Sequence, residues 1–196
     1  MPIINGMLVQ SGGSRPHVVY IMETLAETFP NVIWKIGGEV DRTTRGGEFS
    51  FHSEGRACDI YLSAHDPLDK KLGDLLFNLF STESVALKVH HTIWNGRISS
   101  DATGWRSSAY TGSGGPHEDH VHVAFKNDHL EAQPRIFTWL CQQLVGYYIF
   151  GNDGASDRQD GLHGQAFNPK RPNIRLTKQQ RHKMLLKNMG FEGADQ

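Results

Sequence analysis

Cysteine is scarce in this sequence of 196 residues, in which Cys58 and Cys141 are the two present and neither belongs to a CxxC pair. So few cysteines exclude a disulfide framework. Both lie among apolar residues, and free cysteine is one of the most frequently buried residue types. We therefore expect two buried thiols that pack as small hydrophobic groups.

The sequence also lacks a charge excess and a long apolar run. Its formal net charge is -1, which gives no overall attraction to nucleic acid or acidic lipid. No stretch approaches the roughly 20 apolar residues of a membrane-spanning helix, and residues 1–10 show no basic segment followed by an apolar run. We therefore expect no membrane span and no Sec signal peptide, with synthesis in the cytoplasm and any export by another route.

Histidine, in contrast, is abundant, with 11 residues. Histidines can bind metals, carry protons or lie on the surface, so their spacing is more informative than their number. The hydrophobic fraction of 38% and the charged fraction of 21% are typical of a globular protein. The length suits one domain, with or without an appendage.

Apolar periodicity and turn residues predict an α+β domain in which a small, mainly antiparallel sheet is flanked by helices. The predicted elements are helices over 15–29, 67–80 and 134–144, strands over 32–36, 57–62 and 120–125, a loop over 38–54, and a hairpin over 85–98 around Asn95-Gly96.

The composition changes after residue 146, where glycine, aspartate, asparagine and proline become frequent. We therefore expect a folded domain over residues 1–146 and a loop-rich basic extension over 147–196. A short basic helix is predicted at 177–187. Its charges favour a solvated helix face, and a nucleic-acid contact is the alternative.

The first motif that suggests chemistry is SxHxxGxAxD over residues 50–59. His52 lies on the segment that enters a turn, Gly55 permits that turn, and Asp59 lies on the following strand. The turn folds the histidine back towards the carboxylate. Ala57, on the same strand face as Asp59, leaves space for a metal and its water.

The second motif is HxxHxH over residues 117–122. On a strand, His120 and His122 project from the same face, while His117 arrives from the preceding loop. Two imidazoles on one face can serve as a metal ligand and a neighbouring base.

Together the two motifs predict one zinc site with His52, Asp59 and His122 as ligands. Three protein ligands leave a fourth tetrahedral position for water, which is the arrangement of catalytic rather than structural zinc. Zinc lowers the pKa of such a water to about 7 in favourable sites.

These motifs resemble those of the LAS metallopeptidases, the group of peptidase M15 that includes D-Ala-D-Ala peptidases and murein endopeptidases. The resemblance covers about residues 14–146 and includes a strand-turn segment at 89–99. It implies a LAS/hedgehog-like fold, the zinc ligands just named, His120 as general base or proton shuttle, and His117 as a histidine near the metal.

The same resemblance assigns substrate binding to Arg42 and Ser50, with Arg42 binding a substrate carboxylate. A solvated loop charge is the alternative for Arg42. The D-Ala-D-Ala dipeptidases favour a glutamate three residues before the last ligand, where this sequence has Asp119. An endopeptidase therefore fits better, although a carboxypeptidase stays open.

The function that the resemblance implies is hydrolysis of stem-peptide or cross-bridge amide bonds of peptidoglycan. We expect His120 to take the proton of the attacking water and pass it to the departing amine, and His117 to help stabilise the oxyanion. A secreted antibacterial effector or a phage lysis enzyme, acting in the periplasm or cell wall, fits a chain without a Sec signal. An immunity or carrier protein is then an expected partner.

Other interpretations remain open from the sequence. The chain could be a non-catalytic, zinc-containing module that binds peptidoglycan or a protein, although the presence of both His117 and His120 argues against it. The adjacent His90 and His91 are either ordinary strand residues or part of a cleft wall. The residues Trp94 and Trp105 either pack in the core and hairpin or form a substrate platform.

Overall fold

The computed structural model describes residues 3–4, 7–30, 32–38, 50–112, 114–127 and 134–150. Within these residues the strands are β1 (Ile3–Ile4), β2 (Met7–Gln10), β3 (Lys35–Gly37), β4 (Ala57–Tyr61), β5 (Val89–Trp94), β6 (Arg97–Ser100), β7 (Ser108–Ala109) and β8 (His120–Phe125). The helices are α1 (Pro16–Thr28), α2 (Pro67–Thr82) and α3 (Pro134–Phe150), with a 3₁₀ turn at Asp101–Thr103.

The described strands form one mixed sheet in the order β1-β2-β3-β4-β8-β5-β6-β7. Strands β2 and β3 pair in parallel, and the other neighbouring pairs are antiparallel. A mostly antiparallel sheet with helices confirms the predicted α+β class.

Alternation along the central strands separates an apolar face from a polar one. On β4 and β8, the side chains of Cys58, Ile60, Val121 and Val123 belong to one hydrophobic core with residues of all three helices. The side chains between them, including Asp59, project from the opposite face because strand residues alternate. The helices therefore cover one face of the sheet, and the polar residues of the two motifs lie on the other.

Local sequence accounts for the helix starts and for the central hairpin. Asp66 accepts hydrogen bonds from the backbone N–H groups of Leu68 and Asp69, and Pro67 follows it at the first helical position, as in a typical capped helix. Asn95 and Gly96 both have positive φ, 48° and 72°, which is the backbone of a type I′ turn. The predicted hairpin turn is confirmed.

Several predicted boundaries were wrong. Strand β3 begins at Lys35 rather than at 32, because Val32 and Ile33 still donate hydrogen bonds to the Phe29 carbonyl at the end of α1. The segment 85–88 is a turn rather than strand, and Val85 is exposed. Helix α3 continues to residue 150, beyond the predicted 144.

The structure also tests the expected packing of individual residues. Cys58 and Cys141 are free and fully buried, as predicted, and burial raises the pKa of both thiols. Trp94 is fully buried, which favours its core interpretation over a substrate platform. In the described part of the chain, no helix combines the length and apolarity needed to cross a bilayer. The predicted helix at 177–187 lies outside the described residues.

A glycine of α2 permits close packing of this helix on the sheet. A Cβ added at Gly73 would lie 2.4 Å from two carbons of the Trp94 ring. Alanine usually stabilises a helix relative to glycine by about 1 kcal/mol, but overpacking costs about 1–3 kcal/mol. We expect Gly73→Ala to lower the free energy of unfolding in urea.

A matched control is Gly146→Ala in α3, where an added Cβ meets no atom of the described residues within 4 Å. This variant should be slightly more stable than the parent chain, because only the helix propensity changes. Equal effects of the two substitutions would show that the contact with Trp94 does not limit packing.

Candidate metal centre

The register of β4 and β8 brings the two motifs together. Asp59 pairs with His122, and Tyr61 pairs with His120. Cross-strand partners project from the same face of a sheet, so these four side chains share the face that the helices leave uncovered. The predicted common face of His120 and His122 is confirmed, and Asp59 shares it.

A tight turn over residues 50–56 returns His52 to the strand that carries Asp59. The Gly55 backbone N–H donates to the His52 carbonyl at 2.8 Å, and Gly55 has a φ of +67°. A Cβ at this position would lie 2.4 Å from the Gly13 carbonyl oxygen, and the Arg15 backbone N–H donates to the Gly55 carbonyl. Glycine is therefore required both by the backbone angle and by the close approach of the 13–15 segment.

Three buried donor atoms converge at the end of this turn. His122 Nδ1 lies 2.9 Å from Asp59 Oδ1 and 3.2 Å from His52 Nε2, and His52 Nε2 lies 3.3 Å from Asp59 Oδ1. In a tetrahedral site with bonds of about 2.0–2.1 Å, two ligand atoms are about 3.3 Å apart. His52, Asp59 and His122 therefore form a candidate metal-binding triad with suitable spacing.

The hydrogen bonding of His52 supports the same interpretation. Its Nδ1 lies 2.5 Å from the Gly38 carbonyl oxygen, which can only accept, so Nδ1 carries the proton of the neutral ring. The Nε2 lone pair then faces the Asp59 carboxylate. At most one proton, on His122 Nδ1, then lies between the two acceptors His52 Nε2 and Asp59 Oδ1. A cation in place of that proton would be shared by all three atoms, with the His122 proton on Nε2.

Burial and charge set protonation states that suit metal ligands. Burial raises the pKa of Asp59, but the contacts of its carboxylate with His122 and His52 outweigh burial and hold the pKa well below its usual value. Burial lowers the pKa of His122, and the Asp59 hydrogen bond and charge oppose this only in part. A carboxylate and neutral imidazoles are the forms in which these side chains bind metals.

His120 lies beside the triad with one ring nitrogen directed at it. Its Nε2 is 3.6 Å from Asp59 Oδ1, and its Nδ1 is 2.7 Å from Asp119 Oδ1. The Asp119 carboxylate can only accept, so it fixes the proton on Nδ1 and leaves Nε2 available to exchange protons on the triad side. Sequence reasoning assigned no such role to Asp119, although its position directly before His120 was the available signal.

His117 lies in a strained loop, with its ring close to both His120 and His122. It has a φ of 52°, its ring centroid is 4.6 Å from that of His120, and its Nδ1 is 2.8 Å from the Gly115 carbonyl oxygen. Burial lowers the pKa of His117 to about 4, against the opposing effect of that hydrogen bond. In the neutral ring Nε2 is an acceptor, so the predicted role in oxyanion stabilisation requires the protonated form.

Strand β5 adds an aromatic wall to the triad. The His91 ring stacks on the His122 ring, with 5.1 Å between centroids and 26° between planes. The Phe51 ring lies edge-to-face with the His91 ring, with 5.0 Å between centroids. Burial first, and then the charges of neighbouring histidines, lower the pKa of His91 to about 2. His91 therefore packs against the ring of a candidate metal ligand. The sequence had left open whether His91 is an ordinary strand residue or part of a cleft wall.

The structure gives less information on Ser50 and Arg42, the two residues that the resemblance assigns to substrate binding. The Ser50 hydroxyl accepts a hydrogen bond from the Ser53 backbone N–H at 3.1 Å within the turn. Arg42 lies outside the described residues. The substrate roles of both stay predictions.

Comparison with known proteins gives one family. The family described as "VldE, C-terminal domain" matches residues 10–121, which is more than half of the 196 residues. The match includes His52, Asp59, His117 and His120 and ends one residue before His122. No curated protein and no solved structure matches the chain.

The buried neutral histidines should make the free energy of unfolding of the metal-free chain depend on pH. Below about pH 6.5 the unfolded chain protonates these rings, whereas the folded chain resists protonation to about 4 at His117 and about 2 at His91. The unfolded state thus binds more protons, and stability falls as pH falls. Each ring that stays neutral in the folded chain at about pH 5 costs about 2 kcal/mol there relative to about pH 7.5. We therefore expect the two rings together to lower the stability by roughly 2–4 kcal/mol, measured by urea unfolding with a chelator present.

The control for this experiment is His91→Phe, which keeps a stacked ring without a titratable group. Its loss of stability over the same pH interval should be smaller than that of the parent chain. An identical pH dependence in both proteins would exclude His91 as a source of the effect.

Proposed function

The chain belongs to the family of the VldE C-terminal domain, and we propose that this member is a zinc-dependent peptidase that hydrolyses amide bonds of peptidoglycan. The observation that carries the proposal is the arrangement around Asp59 Oδ1. Two ligand nitrogens lie within 3.3 Å of it, and His120 Nε2 lies 3.6 Å from it. A metal triad beside an oriented proton carrier is the arrangement of a hydrolase rather than of a structural site.

Zinc is the metal that suits these donors best. Two imidazole nitrogens and one carboxylate oxygen form a catalytic zinc set, and their spacing suits tetrahedral bonds of about 2.0–2.1 Å. The resemblance of both motifs to those of LAS metallopeptidases supports the same metal. An α+β domain whose adjacent antiparallel strands carry the two motifs also supports a LAS-like fold.

When bound, zinc supplies Lewis-acid polarisation of the scissile carbonyl and lowers the pKa of the attacking water. His120 accepts the proton of that water at Nε2, since Nδ1 is already committed to Asp119. The Asp119 carboxylate stabilises the imidazolium that results. His120 then donates the proton to the departing amine, which returns the ring to its neutral form.

The proposed substrates are stem peptides or cross-bridges of peptidoglycan. Asp119 occupies the position where dipeptidases of the resembled group have a glutamate, and its carboxylate is engaged with His120. Both observations favour an endopeptidase over a D-Ala-D-Ala dipeptidase. An antibacterial effector or a phage lysis enzyme is the proposed setting, with an immunity or carrier protein as partner.

The experiment that tests this proposal is digestion of purified peptidoglycan by the zinc-loaded chain, with the fragments identified by mass spectrometry. We expect release of peptide fragments, which stops with a chelator and in His52→Ala, because a ligand is lost. Intact peptidoglycan beside a zinc-loaded chain would reject the peptidase and leave a zinc-containing binding module as the alternative.

If His120 is the general base and not a metal ligand, its loss should affect turnover but not zinc binding. His120→Ala should lower turnover by about 10²- to 10⁴-fold while the zinc content stays at the parent value, because a general base is lost and no ligand is. Asp119→Ala should lower turnover by about 10- to 100-fold through loss of the orienting carboxylate.

Glu118→Ala is the matched control, since its carboxylate pairs with His65 at 3.3 Å rather than with a residue of the site. Its turnover should equal that of the parent chain. Loss of zinc from His120→Ala would refute the assignment of His120 as base and make it a ligand.

A further inference from the structure

The Phe51 ring has a place in the site that neither motif explains. Phe51 precedes the ligand His52 in the chain, yet its ring contacts strand β5. Its centroid lies 4.6 Å from that of His90 and 5.0 Å from that of His91. Within the described residues, Phe51 neither belongs to the hydrophobic core cluster nor packs against it. Its contacts therefore concern the face of the sheet that carries the metal triad.

A β-bulge lets two consecutive side chains of β5 contact this one ring. Neighbouring residues of a regular strand project from opposite faces. The pairing of β5 with β8 shifts its register between Val89 and His91, so His90 is the extra residue of a bulge. Bulges re-aim side chains, often next to functional sites. The rings of His90 and His91 consequently lie side by side, with their Nδ1 atoms 2.9 Å apart.

A buried arginine holds Phe51 in this position. The Arg56 Cζ atom lies 4.5 Å from the Phe51 ring centroid, and the Arg56 backbone N–H donates to the Phe51 carbonyl at 2.8 Å. Its Nη1 donates to the Phe125 carbonyl and its Nε to Glu54 Oε2, both at 2.5 Å. Only 9% of Arg56 is exposed. A guanidinium so buried and hydrogen-bonded has little freedom, and its cation–π contact therefore restrains the Phe51 ring.

The metal ligand that needs such support is His122. Within the described part of the chain, the His122 ring has hydrogen bonds at Nδ1 alone, with Asp59 and His52, and this is the nitrogen that faces the metal position. His52, in contrast, is also held at its second ring nitrogen by the Gly38 carbonyl. Metal-binding histidines are usually oriented through that second nitrogen.

A ring contact takes the place of this second hydrogen bond at His122. The His91 ring lies nearly parallel to the His122 ring, at 26°, whereas the rings of His52 and His117 cross it at 56° and 64°. A stacked ring limits the rotation of its partner, because rotation loses the contact between the two faces. The orientation of His122 thus depends on His91, and that of His91 on Phe51.

We propose that Phe51 is a positioning residue of the metal centre, which keeps His91 against His122 and so holds His122 Nδ1 towards the metal. The inference rests on the proposed zinc occupancy of the triad and not on cleavage of any substrate. Phe51 contributes no ligand atom. Its loss should therefore weaken zinc binding without removing a ligand.

Zinc affinity, measured by competition with a chromophoric chelator, tests the proposal without turnover. Phe51→Leu keeps an apolar side chain but loses the flat ring. It should weaken zinc binding by about two- to tenfold, the range that corresponds to one aromatic pair. Phe51→Tyr keeps the ring and should bind zinc like the parent chain. In the same way, His91→Leu should weaken zinc binding and His91→Phe should not.

A double-variant cycle tests whether Phe51 acts through His91. If it does, Phe51→Leu should have little further effect on zinc affinity in a chain that already carries His91→Leu. Cobalt(II) in place of zinc adds a spectroscopic readout, since its visible absorption bands depend on the geometry of the ligands. Phe51→Leu should alter these bands.

Phe137→Leu is the matched control, because it makes the same change of side chain in the hydrophobic core. Phe137 is 1% exposed and stacks on Phe80 on the helical side of the sheet. This variant should lose stability but keep the zinc affinity and the cobalt spectrum of the parent chain.

The outcomes separate this inference from the peptidase itself. Equal zinc affinities of Phe51→Leu and Phe51→Tyr, or a loss in Phe51→Leu no larger than that in Phe137→Leu, overturn the positioning role. Additive losses in the double variant overturn the route through His91. A Phe51-dependent zinc affinity in a chain that leaves peptidoglycan intact keeps the positioning role and rejects the peptidase alone. A chain that binds no zinc overturns both.

Discussion

The pairing of β4 with β8 is the constraint on which the rest of the site depends. It sets Asp59 opposite His122, and the side-chain period of two means that a slip of one residue would turn Asp59 into the helical core. That slip is opposed by the fully buried Cys58, Ile60, Val121 and Val123, which must stay on the helical face. The hydrophobic core therefore specifies the geometry of a polar site to which it contributes no atom.

The buried Asp59 carboxylate organises the groups around it. Burying a charge is costly unless it is paired, and here both histidine ligands and His120 direct nitrogens at the same oxygen. Hydrogen bonds outside the triad determine which ring nitrogens carry the proton, through Gly38 at His52 and Asp119 at His120. The outer partners thus distinguish three similar imidazoles, two as candidate ligands and one as the proposed proton carrier.

Much of this arrangement could be predicted from the sequence, because it follows from strand alternation and from short motifs. The common face of His120 and His122 needed only a period of two, and the turn at Gly55 needed only a glycine between a histidine and a strand. That Asp59 shares this face depends on the pairing of β4 with β8. Contacts between distant segments could not be predicted in this way. No local pattern indicates that the Gly38 carbonyl holds His52 or that His91 stacks on His122, since both depend on tertiary packing.

The errors in the predicted elements have a related cause. Residues 32–34 are all strand-forming types, and 85–88 begin with one, Val85. Backbone hydrogen bonds to Phe29 and Glu83, at the ends of α1 and α2, nevertheless keep parts of both segments out of the strands. Strand propensity describes a fit to a pleated, half-buried surface, and tertiary context overrides it next to a helix end. The short strands β1, β2 and β7 carry too few residues for their alternation to be distinctive.

The most direct test of the central claim is anomalous diffraction at the zinc absorption edge from crystals of the zinc-loaded chain. We expect one zinc ion bonded to His52 Nε2, an Asp59 oxygen and His122 Nδ1, with His120 Nε2 near the metal but not bonded to it. A zinc ion bound elsewhere, or bonded to His120 in place of one of the three, would contradict the assignment of ligands and base.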